Sequence, residues 1–336
     1  MTRTRERWLR AYQSARARFQ LAARAALFLF SPQGRRALAG AAALIALVAC
    51  LGFAPGRSWA QRVLAMLRVQ KIAAVPVETA AFEGVGGSNQ AGRMVSQFLS
   101  ENVVVTMRAG APVSVADSGQ ASQLGGFRVR LLAARADTPR ITVQGEQAFQ
   151  LTLNRERLES ILDEFGRRDL ELPASVDGAL VAVHIPKAAF ATYGDCPRQG
   201  NTPEPNAPPA APAPAGLPGC VMLAQVPSPT VSVPPDLDIR KLAEMGLEAA
   251  GMSPQDAQAF SNTVDWTSTL VLPVPRNAGA SEPVSVDGVE GTLITLRGGR
   301  RGMPGYSLWW VKAGIIYCLT AAGSPDQAVP LADSLE

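Results

Sequence analysis

Cys196 and Cys220 are the residues of this chain whose type and spacing offer the clearest chemistry. Between them lie Pro203, Pro205, Pro208, Pro209, Pro212, Pro214 and Pro218 among small side chains, a composition that makes a loop and cannot pack a core. A disulfide across residues 196–220 would hold the two ends of that segment together, contributing roughly 3 kcal/mol by restricting the unfolded chain. The alternative is two unpaired thiols. Cys318 falls in an apolar strand pattern and reads as a buried, inert thiol.

The remaining candidates point away from catalysis. His184, the one histidine, alternates with Val181 and Val183 in a strand-like run, without the cysteine or carboxylate company of a zinc site. A Ser-His-Asp arrangement would need a nucleophile elbow, and the chain has no Gly-x-Ser-x-Gly. Glu156, Glu159, Asp163 and Glu164 alternate with apolar residues at helical spacing, which predicts a solvated helix face rather than paired catalytic acids. The glycine-rich stretches 84–87 and 298–302 lack the Walker spacing with Lys-Ser/Thr and read as loops. Tyr306, Trp309, Trp310 and Tyr317 straddle two strands, where they either line a ligand cleft or pack across the strands. The expectation is a non-enzyme with no metal centre and no cofactor.

Charge is unevenly distributed. The 336 residues carry a net +4, but nine arginines and one acid, Glu6, give residues 1–36 a charge of +8, so the rest is mildly acidic at −4. The basic character therefore belongs to an arm, and nucleic acid is not an expected partner.

Residues 37–54 follow this arm without a charge, mixing Leu, Ile, Val and Phe with Ala and Gly. Eighteen residues of helix span roughly 27 Å, near the thickness of bilayer hydrocarbon. Arg35 and Arg36 close one side and Pro55-Gly56 the other, so the run predicts a transmembrane helix with its N-terminal side cytoplasmic. The expected location is the inner membrane, single-pass, with the C-terminal bulk extracytoplasmic. Three rival readings are a buried soluble helix, a signal peptide cleaved after Ala60, and a lipoprotein signal at Leu47-Val48-Ala49-Cys50.

Within the arm, Trp8, Tyr12, Ala15, Phe19, Ala22 and Ala26 recur at steps of four and three with arginines between them. This spacing predicts a basic amphipathic helix. Arg3, Arg5, Arg7, Arg10, Arg16 and Arg18 would meet anionic headgroups while Trp8, Tyr12 and Phe19 meet acyl chains. Docking onto a cytoplasmic protein such as a transcription factor is the alternative use of the same face.

Beyond the span, Ser58–Val69 reads as a short helix, followed by strands at 72–77, 103–107, 127–132, 141–143, 148–153 and 180–185. Asn154 caps a helix that Gly166 stops. After the Pro-rich loop come a strand at 221–225, helices at 239–250 and after Ser253-Pro254, and strands at 269–272, 283–286, 291–296, 306–311 and 315–319. A helix over 325–335 closes the pattern. Asp287-Gly288 and Lys312-Ala313-Gly314 mark hairpins. The expected class is α+β: a cytoplasmic basic arm (1–36), a transmembrane helix (37–54), and two extracytoplasmic lobes of antiparallel sheet with packed helices (58–195 and 221–336) joined by the loop at 196–220.

Two stretches carry a family likeness. Residues 58–71, Ser-Trp-Ala-Gln-Arg-Val-Leu through Leu-Arg-Val-Gln-Lys directly after the span, resemble bacterial membrane-anchored regulators of the anti-sigma-factor type. The stretches 225–231, 251–254, 264–266 and 286–291, ending in Leu308-Trp309-Trp310-Val311-Lys312-Ala313-Gly314-Ile315-Ile316-Tyr317, resemble the DUF4367-like extracytoplasmic domains of such proteins. The likeness covers most of residues 58–336. It implies a regulatory or sensory membrane protein whose partners are membrane lipid, a sigma factor or other cytoplasmic regulator, and an envelope ligand. The arm lacks the His/Cys zinc module that many anti-sigma factors use. An envelope module that handles lipid or lipoprotein, without signalling, is the second reading.

Overall fold

Strand-period alternation and hairpin signals dominate the chain after residue 66, and that pattern folds as antiparallel sheet with helices laid against it. The computed structural model describes residues 66–78, 90–196, 219–276, 279–296 and 305–336. These belong to one compact unit, Arg62–Glu336. In chain order they form β1 (Met66–Arg68), β2 (Lys71–Val77), α1 (Gln90–Asn102), β3 (Val103–Met107), β4 (Val113–Val115), α2 (Ser118–Gly125), β5 (Arg140–Gln144), β6 (Gln147–Thr152) and α3 (Arg155–Glu164). Then follow β7 (Leu180–Ile185), β8 (Ala188–Tyr193), β9 (Val221–Pro227), β10 (Thr230–Ser232), α4 (Ile239–Ala249), α5 (Pro254–Thr263) and β11 (Thr269–Pro275). The last elements are β12 (Gly279–Val286), β13 (Val289–Leu296), β14 (Gly305–Lys312), β15 (Ile315–Ala322) and α6 (Ala328–Asp333).

Eight strands form the larger sheet in the order β12-β13-β14-β15-β9-β8-β5-β4, antiparallel throughout. Two of its hairpins turn where the sequence marks them. Asp287-Gly288 and Ala313-Gly314 both take positive φ at each residue, the geometry that lets a two-residue turn match strand twist. Leu293, Leu308, Leu319 and Leu223 align across four strands on one face, and with Tyr306, Trp310, Tyr317 and Tyr193 they make the main core. Ala328, Ala332 and Leu335 at the chain's end pack onto that face.

A second sheet has the order β1-β10-β7-β6-β3, also antiparallel. The parallel pair β2 and β11 is separate, with Thr292 of β13 donating from Oγ1 to the Ile72 carbonyl at 3.3 Å. Helix starts follow local chemistry. The Asn154 side chain accepts from the Arg157 N–H at 2.8 Å, and Asp238 does the same for Lys241 at 2.9 Å. Ser253 caps α5, whose first turn holds Pro254. Gly166, at positive φ, follows α3.

Strands from both sides of residues 197–218 share each large sheet: β8 pairs with β9, and β7 pairs with β10. The segments expected as two lobes thus contribute strands to the same two sheets. Two element assignments also change. Met66–Arg68, expected as the end of a helix, is strand β1, because its backbone pairs with β10. Residues 127–132 are not a regular strand. Leu132 makes one bridge to Leu335, and Leu131 exchanges both backbone hydrogen bonds with Glu336. The arm (1–36), the apolar run (37–54) and the glycine stretches 84–87 and 298–302 lie outside the described residues. Among the described residues no helix is long and apolar enough to cross a membrane.

Candidate functional site

The disulfide is formed. Cys196 and Cys220 are bonded, with Cα atoms 4.9 Å apart and a sequence separation of 24. Strand pairing brings them together: β8 ends at Tyr193, β9 begins at Val221, and these two residues are register partners. The approach is close enough to need glycine. A Cβ on Gly194, itself at positive φ, would collide with the Gly219 carbonyl oxygen. Two arginines bind the same junction, Arg140 donating to the Cys196 carbonyl at 3.2 Å and Arg135 to the Gly219 carbonyl at 3.4 Å. Arg135 is oriented by Asp137, at 2.7 and 2.8 Å, and lies over the Tyr193 ring. The Arg135 guanidinium in turn holds the Asp137 carboxyl below its ordinary pKa.

The aromatic quartet divides between the faces of the sheet. Trp310 and Tyr317, opposite each other in the register, stack with centroids 5.1 Å apart and planes 9° off parallel. Tyr306 shares their face, and all three are buried in the main core. Trp309 points to the other face, opposite Thr292 and Cys318, and is half-buried. Cross-strand packing therefore describes these residues, and three of the four are closed off from solvent. The Trp310 indole N–H is buried without a hydrogen-bond partner among the described residues.

Beside this stack lies a polar network that the sequence did not announce. Asp287, at the β12–β13 turn, is bound by the Arg130 guanidinium through both carboxylate oxygens and by Lys312 Nζ at 2.7 Å. Arg130 also donates to the Leu335 carbonyl at 2.7 Å and covers the Tyr317 ring. Its backbone is bound by the fully buried Gln225 amide, which accepts from the Arg130 N–H at 2.9 Å and donates to its carbonyl at 2.8 Å. Burial pushes the Asp287 pKa upward, but the hydrogen bonds from Arg130 and Lys312 outweigh it, and the net shift is downward. A saturated carboxylate of this kind is a poor base. The network clamps a hairpin, an irregular segment and the final residues together.

An open cleft of about 440 Å³ lies at the β14–β15 turn, lined by Arg68, Val69, Gln70, Val311, Ala313 and Gly314. The Gly314 carbonyl is already used by the Ser228 N–H at 2.8 Å. Arg68 is exposed at the mouth of this cleft, and a guanidinium is the side chain best suited to an anionic group.

His184 lies 3.3 Å from Glu146 on the surface. On α3, Glu156, Asp163 and Glu164 are exposed, and Glu159 pairs with Arg155 at 2.8 Å. Cys318 is buried against Ser307 and Thr320, and burial pushes its thiol up to about 11. Among the described residues no three His, Cys, Asp or Glu side chains are grouped to hold a metal ion. The arm residues Arg3, Arg5, Arg7, Trp8, Arg10, Tyr12, Arg16, Arg18 and Phe19 lie outside the described residues. No protein-family model, curated protein or solved structure matches the chain.

Proposed function

We propose that this chain is a single-pass membrane protein of the regulatory or sensory kind, whose sheet-rich unit lies outside the cytoplasm and binds an envelope signal or partner. The observation that carries the reading is the Cys196–Cys220 bridge, a bond that persists in oxidising compartments, downstream of the charge-free run 37–54 with its arginines behind it. The cleft beside the exposed Arg68 supports a recognition surface in which its guanidinium meets an anionic ligand. The arm, similar in charge and apolar spacing to a membrane-surface helix, anchors the chain and relays its state to a cytoplasmic regulator such as a sigma factor.

Relay is tested by capturing the full-length chain from solubilised membranes through a tag beside the arm and identifying what comes with it. Recovery of a sigma factor or another transcription regulator, lost when Arg3, Arg5, Arg7 and Arg10 are changed to alanine, supports the reading. Recovery of lipid alone refutes it.

A second reading is favoured by one observation. On one face of the five-stranded sheet Val104, Met107 and Leu180 are exposed among Ala148, Gln150, Ala182, His184, Thr230, Ser232 and Arg68, and none of these residues belongs to a core cluster. Exposed apolar side chains, with Arg68 and His184 on the same face, suit a carrier of lipid or acylated peptide. Mass spectrometry of the purified chain distinguishes the two, because a carrier arrives loaded.

A further inference from the structure

The two large sheets leave four edge strands among the described residues, β1 and β3 in one sheet and β12 and β4 in the other. An unpaired edge presents a row of N–H and C=O groups to any other strand, and sequences blunt such edges with charge, proline or short length. Three of the four are blunted: β12 carries Glu282 and Pro283 in its middle, β4 has three residues and follows Pro112, and β1 carries the charged Arg68. The exception is β3, Val103–Met107, five residues without charge or proline. Both faces of it are wet, with Val104 59% and Met107 43% exposed on one and Val105 39% exposed on the other. A bulge at Thr106 bends only its far end.

We propose that β3 is the pairing edge for a second copy of this chain, which joins antiparallel about a two-fold axis and continues the five-stranded sheet into the partner. The flanking charges select this occupant. Glu101 stands just before the strand and Arg108 just after it. With Thr106 bulged out of the count, an axis at Val104 sets each copy's Glu101, in the last turn of α1, near the other's Arg108, so opposite charges meet at both ends. Arg108 is exposed and makes no ion pair among the described residues, while Glu101 is half-open to solvent and already oriented by Arg157 at 3.1 Å and Gln97 at 2.7 Å. The pairing is independent of which side of the membrane the unit occupies.

A two-fold axis perpendicular to a sheet makes the residue on the axis face its own copy. Cysteines there would have Cβ atoms within the reach of a disulfide, whereas those one residue away would not. The test uses purified full-length chain carrying Cys50→Ser, with Val104→Cys, Val105→Cys or, as a control on an equally exposed edge, Val113→Cys. Under mild oxidation the Val104 variant forms a covalent dimer several-fold faster than the Val105 and Val113 variants. In that variant Arg108→Glu slows cross-linking, and adding Glu101→Arg restores it. Equal rates at residues 104, 105 and 113 would overturn the proposal, and so would a rate unaffected by the charge changes.

Discussion

Replacing Cys196 and Cys220 with alanine removes a cross-link whose contribution depends on the length of chain it closes. The sequence separation is 24, and for a loop of that size the chain-entropy relation gives about 3.5 kcal/mol at 25 °C. Both residues are buried at the β8–β9 junction, where register pairing, Gly194 and the two arginines hold the ends together without the bond. The native geometry is therefore retained and the loss falls on the unfolded state. In urea unfolding of the full chain followed by tryptophan fluorescence, the midpoint should drop by about 1 M with little change in slope. Length supplies the sharper check. Deleting part of 197–218 to leave a loop of about ten residues should reduce the bridge's contribution by about 0.8 kcal/mol, because the closure term varies with the logarithm of length. The reasoning fails if the double alanine variant unfolds at the wild-type midpoint, or if the short-loop protein loses as much on reduction as the long-loop one.

Asp287→Asn leaves Arg130 half-partnered beside Tyr317 and should destabilise the fold by about 3 kcal/mol, measured by the same unfolding. The depressed pKa of Asp287 fixes the sign with pH. Its contribution is complete above the ordinary aspartate value of about 4 and is lost as pH falls through the lower folded value, so wild type and variant converge in strong acid. Trp310→Ala empties the centre of the main core and should cost about 4 kcal/mol, whereas Trp310→Phe keeps the stack on Tyr317, removes an unpartnered N–H and should cost about 1 kcal/mol, both read as melting-point shifts. Cys318, buried and with its thiol pushed up to about 11, should resist a maleimide at pH 8 in the native protein and react fully once urea unfolds it, as counted by mass spectrometry.

Local signals were legible wherever residue type alone decides. The Asn154 cap, the Ser253-Pro254 start and the turns at Asp287-Gly288 and Ala313-Gly314 occur as read, and so do strands β6, β7, β13, β14 and β15. Strand β8 was missed because Ala188-Ala189-Phe190-Ala191-Thr192-Tyr193 is small-residue rich, yet small side chains suit a strand that buries Ala189, Ala191 and Tyr193 at the centre of the sheet. Helix α1 was hidden by the glycine stretch before it, and α2 by its serines and glycines. Pairing was the larger gap. That β8 joins β9 across the proline-rich segment, and that Arg130 reaches Asp287 157 residues away, are long-range outcomes for which no local spacing gives a sign. The aromatic quartet was read from sequence neighbourhood, whereas strand alternation sends Trp309 to the opposite face from Trp310.

Membrane topology bears most directly on the account. Reporter enzymes that work only outside or only inside the inner membrane, fused after Glu336 and before Met1 of the full chain, should be active on opposite sides: the C-terminal fusion outside, the N-terminal one in the cytoplasm. Both fusions active in the cytoplasm, with Cys196 and Cys220 recovered as free thiols, would contradict it.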